Sequence, residues 1–339
     1  MRISLKDVLA FVAVAFVLAL SGASNGLAQS LDDGRPGLEG VPTRIDVAAY
    51  LLDVETINDL EQTFKVDFVL RLRWSDSRLS GKGPNLPLEN VWHPRVTILN
   101  QRSSDTLRAE VVAVNPEGQV EYTQRYQAKL YTRFDLRLFP HDEQQLPIVL
   151  LAAGYSPAEV ELVVGSVGAE PEFSIPGWAV EVAGAESGTM VAMLISDEEE
   201  PIERPILEIQ LNARRQLSYY RWKVLVPLSL VVLLSWTVFW IPPTQLAVQL
   251  GVSSTSVLTI IAFLLSLQNL IPPVPYLTQL DRFVHTCLIL ISAAFVEAVV
   301  TIRIAAVPER HDLATRIDLW CRVLFPIAYG SIVAATWLT

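Results

Sequence analysis

One apolar stretch of the chain, residues 246–271, carries many hydroxyl and amide side chains. Polar side chains inside a membrane usually face protein or water rather than lipid. Read as a helix, the stretch places residues spaced four and three apart on a single face: Gly251, Thr255, Leu258, Ala262, Leu265 and Asn269. This face predicts either the lining of a water-filled path or hydrogen bonding between the helices of a closed bundle.

A path lined by this face needs several copies of the helix around one axis, because a single helix encloses no channel. In such a ring, Leu258 would form an apolar constriction that blocks ions by dewetting. Gly251 and Thr255 would leave a wettable path on one side of it. Leu258 is therefore the candidate gate.

A second group of candidate ion-binding residues is an acidic run ahead of the first long apolar stretch: Asp197, Glu198, Glu199, Glu200 and Glu203. Crowded carboxylates attract protons or calcium. The run is therefore a candidate ligand site, with Glu198 and Glu200 as candidate calcium ligands. A solvated acidic loop is the alternative. No resident cofactor is predicted beyond regulatory calcium or protons.

Composition argues against several functional classes. The 339 residues carry a formal net charge of -10, which disfavours nucleic-acid binding. The sequence has no glycine-rich phosphate loop and no CxxC or HExxH spacing, and its four histidines are scattered. Its two cysteines, Cys287 and Cys321, lie within apolar runs. The sequence therefore predicts neither an enzyme nor a disulfide framework.

Four stretches are long and apolar enough to cross a membrane: 219–241, 246–271, 283–304 and 319–338. Three basic residues, Arg303, Arg310 and Arg316, lie at the end of the third stretch and in the loop before the fourth. The positive-inside rule places this loop in the cytoplasm. We therefore expect a multi-pass protein of the cell inner membrane, with residues 216–339 as its transmembrane domain.

The N-terminus has the layout of a secretory signal peptide. Basic residues precede an apolar run at positions 8–20, and small residues follow as far as Ala28. A membrane anchor is the alternative, but a spanning helix needs about 20 apolar residues. Residues 1–28 are thus predicted to be a signal peptide, and residues 29–215 to form an extracellular or periplasmic domain.

Residues 29–215 show the alternation that is typical of half-buried strands. Apolar and polar side chains alternate across 64–74, 119–122 and 206–211. Turn sequences such as Asn115–Gly118 separate these runs. We predict an all-β, immunoglobulin-like sandwich followed by an all-α, four-helix transmembrane domain.

Six short motifs occur in order along the chain: Trp74-Ser75-Asp76, Trp92-His93-Pro94, Phe139-Pro140-His141-Asp142, Arg214-Arg215-Gln216, Ser235-Trp236-Thr237-Val238-Phe239-Trp240 and Pro275-Tyr276. Together with the four apolar stretches, they resemble the pentameric ligand-gated ion channels. Thr132 and Leu146 stand where animal receptors have the Cys-loop cysteines, so the chain is most similar to the prokaryotic members. The resemblance implies a homopentamer in membrane lipid that passes inorganic ions when a small agonist binds. A membrane-anchored binding protein without conduction is the alternative.

The resemblance also implies roles for individual residues. The polar face of residues 246–271 matches the pore lining of the family, with Leu258 as its gate. Asp59, Asp142 and Arg215 match a charged junction that passes the signal from the sandwich to the pore. Pro273 lies in the turn that would receive this signal. A membrane-surface anchor is the alternative role for Arg215.

For the agonist and the permeant ion, the resemblance leaves alternatives. Tyr155 is the nearest remaining member of the aromatic cage by which amine-binding relatives hold their agonist. Cation-selective relatives carry a glutamate ring at the cytoplasmic mouth, where this chain has residues 247–249, Ala-Val-Gln. Between Ser30 and Gln210, however, 30 acidic side chains face 15 basic ones, which favours cations near the pore. Protons, divalent cations and an organic ligand are the candidate agonists.

Glu297 lies within the third apolar stretch. An ionisable side chain in a membrane is costly and commonly functional. It could instead pair with Arg303, one to two helical turns further on. The sequence leaves both interpretations open.

Overall fold

The computed structural model describes residues 34–37, 40–192, 202–267 and 273–337. Several predictions lie outside these residues: the signal peptide at 1–28, the pore-lining residue Asn269, and the acidic run Asp197, Glu198, Glu199 and Glu200. Within the described residues, strands come first and helices follow. The predicted fold class, a β-sandwich followed by four apolar helices, is confirmed.

The sandwich is built from strands in two sheets: β1 (Thr43–Asn58), β2 (Thr63–Ser75), β3 (Asn85–Pro87), β4 (Val96–Ile98), β5 (Gln101–Thr106), β6 (Val111–Val114), β7 (Gln119–Tyr131), β8 (Glu143–Ala152), β9 (Val160–Ala169), β10 (Trp178–Ala192) and β11 (Ile202–Arg215). The larger sheet has the order β3-β6-β7-β2-β1-β9, and β5 also pairs with β7. The smaller sheet has the order β10-β11-β8-β4. The β1 and β9 pair is parallel, whereas the other strand pairs are antiparallel.

The period-two alternation explains how the sheets bury a common core. The three runs predicted as strands lie in β2, β7 and β11. In β2, Phe64, Phe68 and Leu70 are almost fully buried, whereas Lys65 is exposed and Val69 is half-buried. In β11, Leu207, Ile209 and Leu211 point into the same core. Alternate side chains of a strand point to opposite faces, so each sheet presents one apolar side to the other.

Four helices follow the sandwich: α1 (Ser218–Trp240), α2 (Leu246–Leu267), α3 (Gln279–Ala305) and α4 (His311–Trp337). Each is long and apolar enough to cross a membrane. Helix α1 contains a π-helical turn at Arg221–Leu225 and ends in a 3₁₀ turn at Thr237–Trp240.

Helices α3 and α4 begin earlier than the apolar stretches do. Thr278 caps α3 and forms a reciprocal capping box with Asp281, so the helix starts four residues ahead of the apolar run. Helix α4 starts at His311, with Asp312 in its first turn. Hydropathy does not detect such polar first turns, although they are favourable because acidic side chains interact well with a helix N-terminus.

Candidate functional site: the domain junction and helix α2

Arg215 lies at the end of β11, where the sandwich meets the helices, and its side chain is 4% exposed. Its Nε and Nη2 donate to the two carboxylate oxygens of Asp142, at 2.8 and 3.0 Å. Its Nη1 and Nη2 also donate to Asp59, at 2.9 and 2.8 Å. The structure therefore brings Arg215, Asp59 and Asp142 together as two bidentate ion pairs.

Three parts of the fold position this cluster. Asp59 comes from the turn between β1 and β2, and Asp142 comes from the loop before β8. Burial by itself lowers the pKa of Arg215, but the hydrogen bonds and charges of Asp142 and Asp59 outweigh it and raise the pKa above its usual value. The guanidinium is therefore permanently charged and locked between the two carboxylates.

Aromatic side chains enclose the Arg215 guanidinium. Its carbon lies 4.0 Å from the ring centre of Trp178 and 4.7 Å from that of Phe139. The hydroxyl of Tyr220, in α1, accepts from Nη1 at 3.3 Å. Gln144 donates to Asp142 at 2.7 Å. The buried guanidinium is therefore surrounded by hydrogen-bond acceptors and aromatic rings.

We call residues 132–146 the proline loop. Phe134, Leu136 and Phe139 of this loop are buried in the core. Thr132 Oγ1 donates to the carbonyl oxygen of Gln145, next to Leu146, at 3.5 Å. The proline loop is thus held by packing and hydrogen bonds at the positions where animal receptors have a disulfide.

The proline loop also holds the beginning of α3. The backbone N–H groups of Gln279 and Leu280 donate to the carbonyls of Arg137 and Phe139, each at 3.0 Å. Tyr276 Oη accepts from the backbone N–H of Leu136 at 3.1 Å. The proline loop is therefore hydrogen-bonded to Tyr276 and to the start of α3. Pro273, predicted for this role, is exposed, and the contacts with the loop are made by Tyr276 and the start of α3.

Helix α2 has one face open and one face buried within the chain. The predicted pore-lining residues that the structure describes are all exposed: Gly251, Thr255, Leu258, Ala262 and Leu265. Leu258 is 66% exposed and Leu265 is 59% exposed. Ser254, Thr259 and Ser266 lie beside this stripe and are also exposed; helical spacing alone missed them.

The opposite face of α2 carries Gln249, Ser253, Ser256 and Ile260, which are buried. Gln249 Nε2 donates to the carbonyl of Ile241 at 2.8 Å, and Ser253 Oγ donates to that of Gln249 at 2.7 Å. Polar side chains therefore lie on both sides of α2, one set buried within the chain and a second set on the exposed face.

Two family models match the chain. The model of the neurotransmitter-gated ion-channel ligand binding domain covers residues 31–216, and that of the neurotransmitter-gated ion-channel transmembrane region covers residues 224–314. The chain belongs to the neurotransmitter-gated ion-channel family. The predicted resemblance is confirmed.

Individual relatives agree with this assignment. The chain is 26% identical to a proton-gated ion channel of Gloeobacter violaceus over 305 residues, covering 87% of this chain and 82% of the relative. It is 26% identical to the gamma-aminobutyric acid receptor subunit gamma-1 of Rattus norvegicus over 291 residues, 80% of this chain and 61% of that subunit. It is 25% identical to the gamma-aminobutyric acid receptor subunit beta of Caenorhabditis elegans, covering 78% of this chain and 50% of that subunit. The chain thus spans less than two thirds of these two animal subunits.

Membership makes the chain a multi-pass membrane protein of a ligand-gated ion-channel family, with an extracellular β-domain. Members of this family are channels rather than enzymes. The family is oligomeric, so a face that is exposed in one chain can be covered by another.

The predicted ligand-binding residues that the structure describes lie in the sandwich. Tyr155 is half-buried, and its ring packs edge-on against Trp92 at 5.6 Å between centres. Glu203 is exposed on β11, opposite Val191 of β10. Within the described ranges, no group of three or more His, Cys, Asp or Glu side chains is placed to hold a metal ion. The candidate calcium ligands Glu198 and Glu200 lie outside these ranges.

His141 is a titratable group of the proline loop, next to Asp142. Burial lowers the pKa of its imidazole, and the nearby charge of Arg221 lowers it further, whereas Asp142 acts in the opposite direction. The junction in this conformation therefore favours a neutral His141.

Proposed function

We propose that the chain forms a homopentameric ligand-gated ion channel of the cell inner membrane, with α2 lining an axial pore. In this proposal residues 1–28 are a signal peptide, and the sandwich lies in the periplasm. The observation that carries it is the asymmetry of α2. Its buried face is closed within the chain, whereas its exposed face presents small, hydroxyl and apolar residues in rows. Five copies around an axis would give that face a common lumen.

Leu258 is the proposed gate. It is the most exposed large apolar side chain of α2, and on the same face it follows Thr255 by one helical turn and Gly251 by two. A ring of five leucines would exclude water and therefore ions. Hydroxyl rings at Thr255 and along the neighbouring exposed positions would keep the remainder of the path wet.

The proposed route of gating begins when an agonist binds at the extracellular subunit interfaces. The junction of Arg215, Asp59 and Asp142 fixes the proline loop to the end of β11. The loop in turn holds Tyr276 and the start of α3 through three hydrogen bonds. Because Arg215 and Asp142 are buried and hydrogen-bonded to each other, a displacement of the sandwich would be passed to the α2–α3 segment.

Cations are the proposed permeant ions, because the acidic sandwich attracts them towards the pore. Protons or divalent cations are the proposed activators or modulators. Tyr155, Glu203 and the acidic run are the proposed ligand-facing groups, with Glu198 and Glu200 as calcium ligands. The depressed pKa of His141 at the junction supports sensitivity to protons, as does the similarity to a protein described as a proton-gated ion channel.

Current recording from cells that express the chain tests this proposal. External pH and then external calcium are stepped, with sodium and chloride gradients set so that their reversal potentials differ. We expect a gated current that reverses near the sodium potential. A current reversing near the chloride potential would overturn the selectivity. Silence under every condition, with protein verified at the cell surface, would favour an organic agonist or a binding protein without conduction.

A further inference from the structure

A pair of carboxylates lies buried between α3 and α4, away from the junction and from α2. Glu297 faces Asp318 and Cys321 of α4. Asp318 is 3% exposed. Both carboxylate oxygens of Glu297 and the Oδ1 of Asp318 are buried without a hydrogen-bond partner. Buried polar atoms in native proteins are normally hydrogen-bonded, so three such atoms at one point require an explanation.

The depth of the pair makes the unpaired oxygens more costly. Glu297 lies eight residues before the end of α3, which is about 12 Å along the helix axis. Asp318 lies seven residues after the start of α4, about 10 Å along its axis. The two antiparallel helices therefore bring the carboxylates to the same level, inside the half of the bundle that adjoins the α3–α4 loop. The apolar side chains around the pair offer no hydrogen bonds.

Basic side chains do not neutralise this pair fully. Arg303, the partner that the sequence offered for Glu297, is exposed, and no ion pair joins it to Glu297 among the described residues. Arg322 acts electrostatically on Asp318. Its Nε, however, donates to the carbonyl of Phe239 at 3.0 Å, and its guanidinium lies 5.3 Å from the centre of the Trp240 ring. One cation thus stands near two carboxylates.

We propose that Glu297 and Asp318 form a proton-binding site and share a single proton between their carboxyl groups. The shared proton supplies the missing donor, so that one carboxylic acid donates to the other carboxylate. The pair then carries one negative charge, which Arg322 balances. Cys321 is the remaining titratable neighbour, and α1 adds the apolar ring of Phe239 at this level.

An apolar pocket of about 310 Å³, open at the helix surface, adjoins the pair. Phe239, Leu290, Leu324 and Phe325 line it, and Glu297 and Cys321 lie at its polar end. The carboxylate oxygens are buried beside apolar side chains, which disfavours two negative charges side by side. The shared proton therefore ties α3 to α4. Its loss would leave two facing carboxylates that repel each other and loosen α4.

Infrared spectroscopy of the purified full chain in phosphatidylcholine vesicles tests the site without relying on conduction. A protonated carboxyl group has a carbonyl stretch that ionised carboxylates lack. We expect this band at neutral pH in the unmodified chain and its loss in Glu297→Gln. In Asp318→Asn, we expect its titration midpoint to fall by at least about one pH unit, a tenfold change in proton affinity. Asp312→Asn, which removes an exposed carboxyl of the same helix, should leave the band unchanged.

Two results would overturn the proposal. Absence of the band at neutral pH would show that the pair holds no proton. An identical titration in Asp318→Asn and the unmodified chain would show that Asp318 does not share it. Should either variant fail to fold, titration of the unmodified chain decides. We expect a single carboxyl band that persists at neutral pH and disappears only at alkaline pH. Loss of the band at the acidic pH at which exposed carboxyl groups ionise would contradict the site.

Discussion

The polar groups of the domain junction and those of helix α2 lie in different surroundings. At the junction, Arg215 finds two carboxylates, a hydroxyl and two aromatic walls within a single chain. Along α2, hydroxyls on both sides donate to backbone carbonyls of the helix, but only one side is buried within the chain, and the face around Leu258 remains exposed. The junction is therefore complete in one subunit, whereas the function proposed for α2 needs several. Substitutions at the junction should alter both folding and gating, and those on the exposed face of α2 should alter gating alone.

The largest effect is expected for Arg215→Ala. Removing the guanidinium leaves Asp142 and Asp59 without their counter-charge, and breaking a buried ion pair costs about 3–5 kcal/mol. We expect a lower thermal unfolding temperature in detergent and no agonist-evoked current. Arg214→Ala is the matched control. Arg214 is 76% exposed and pairs with an exposed Glu143, so its loss should cost below about 1 kcal/mol. Equal effects of the two substitutions would remove the special role of the junction.

A smaller effect, confined to gating, is expected for Leu258→Thr. A hydroxyl at the constriction favours wetting, so half-maximal activation should need about tenfold less agonist, equivalent to about 1.4 kcal/mol. The unfolding temperature should not change, because the side chain is exposed within its own subunit. Leu230→Thr, at an exposed position of α1, serves as the control in the same dose–response measurement. Unaltered activation of Leu258→Thr would argue against a gate at this position.

Tyr276→Phe tests the link between the two regions. The substitution removes the acceptor of the Leu136 N–H and keeps the ring, which costs about 1 kcal/mol. We expect half-maximal activation to need about fivefold more agonist, with a small fall in the unfolding temperature. Tyr219→Phe removes a hydroxyl from a ring that is 50% exposed. It should change neither the agonist concentration for half-maximal activation nor the unfolding temperature. A matching response of the two variants would place the coupling elsewhere.

The smallest effect is expected for His141→Gln, measured as the pH dependence of the current. The lowered pKa of His141 means that the described conformation favours the neutral imidazole. This preference stabilises the conformation above the usual histidine pKa of about 6.5 and is lost progressively as the pH falls below it. Acid should therefore displace the junction from this conformation. Glutamine removes this contribution and should shift the pH response by less than about one unit. His311→Gln, at the first residue of α4, should leave the response in place.

Much of the architecture could be predicted because it depends on local patterns. The alternation in 64–74 and 206–211 reports one buried face of a strand, and the four apolar stretches report burial in lipid. The exposed stripe of α2 follows from helical spacing. The meeting of Asp59, Asp142 and Arg215 was reached through a family resemblance, because nothing local relates residues so far apart.

The remaining features depend on tertiary packing that local patterns do not encode. Trp178 and Tyr220 contact Arg215 from two different elements, and the local sequence around each of them does not predict this contact. Glu297 faces Asp318 instead of Arg303, because α4 extends eight residues further towards the loop than its apolar stretch does. Helix starts that are set by polar caps, such as Thr278, are likewise invisible to hydropathy.

Cysteine substitution along α2, with a water-soluble thiol reagent applied during current recording, tests the central claim most directly. Modification at the exposed positions should change the current: Gly251, Thr255, Leu258, Ala262 and Leu265. Modification at the buried positions Ser253, Ser256 and Ile260 should leave it unchanged, and the unmodified chain controls for the native Cys287 and Cys321. Reaction at the buried positions, or none along the exposed face, would contradict a pore lined by this side of α2.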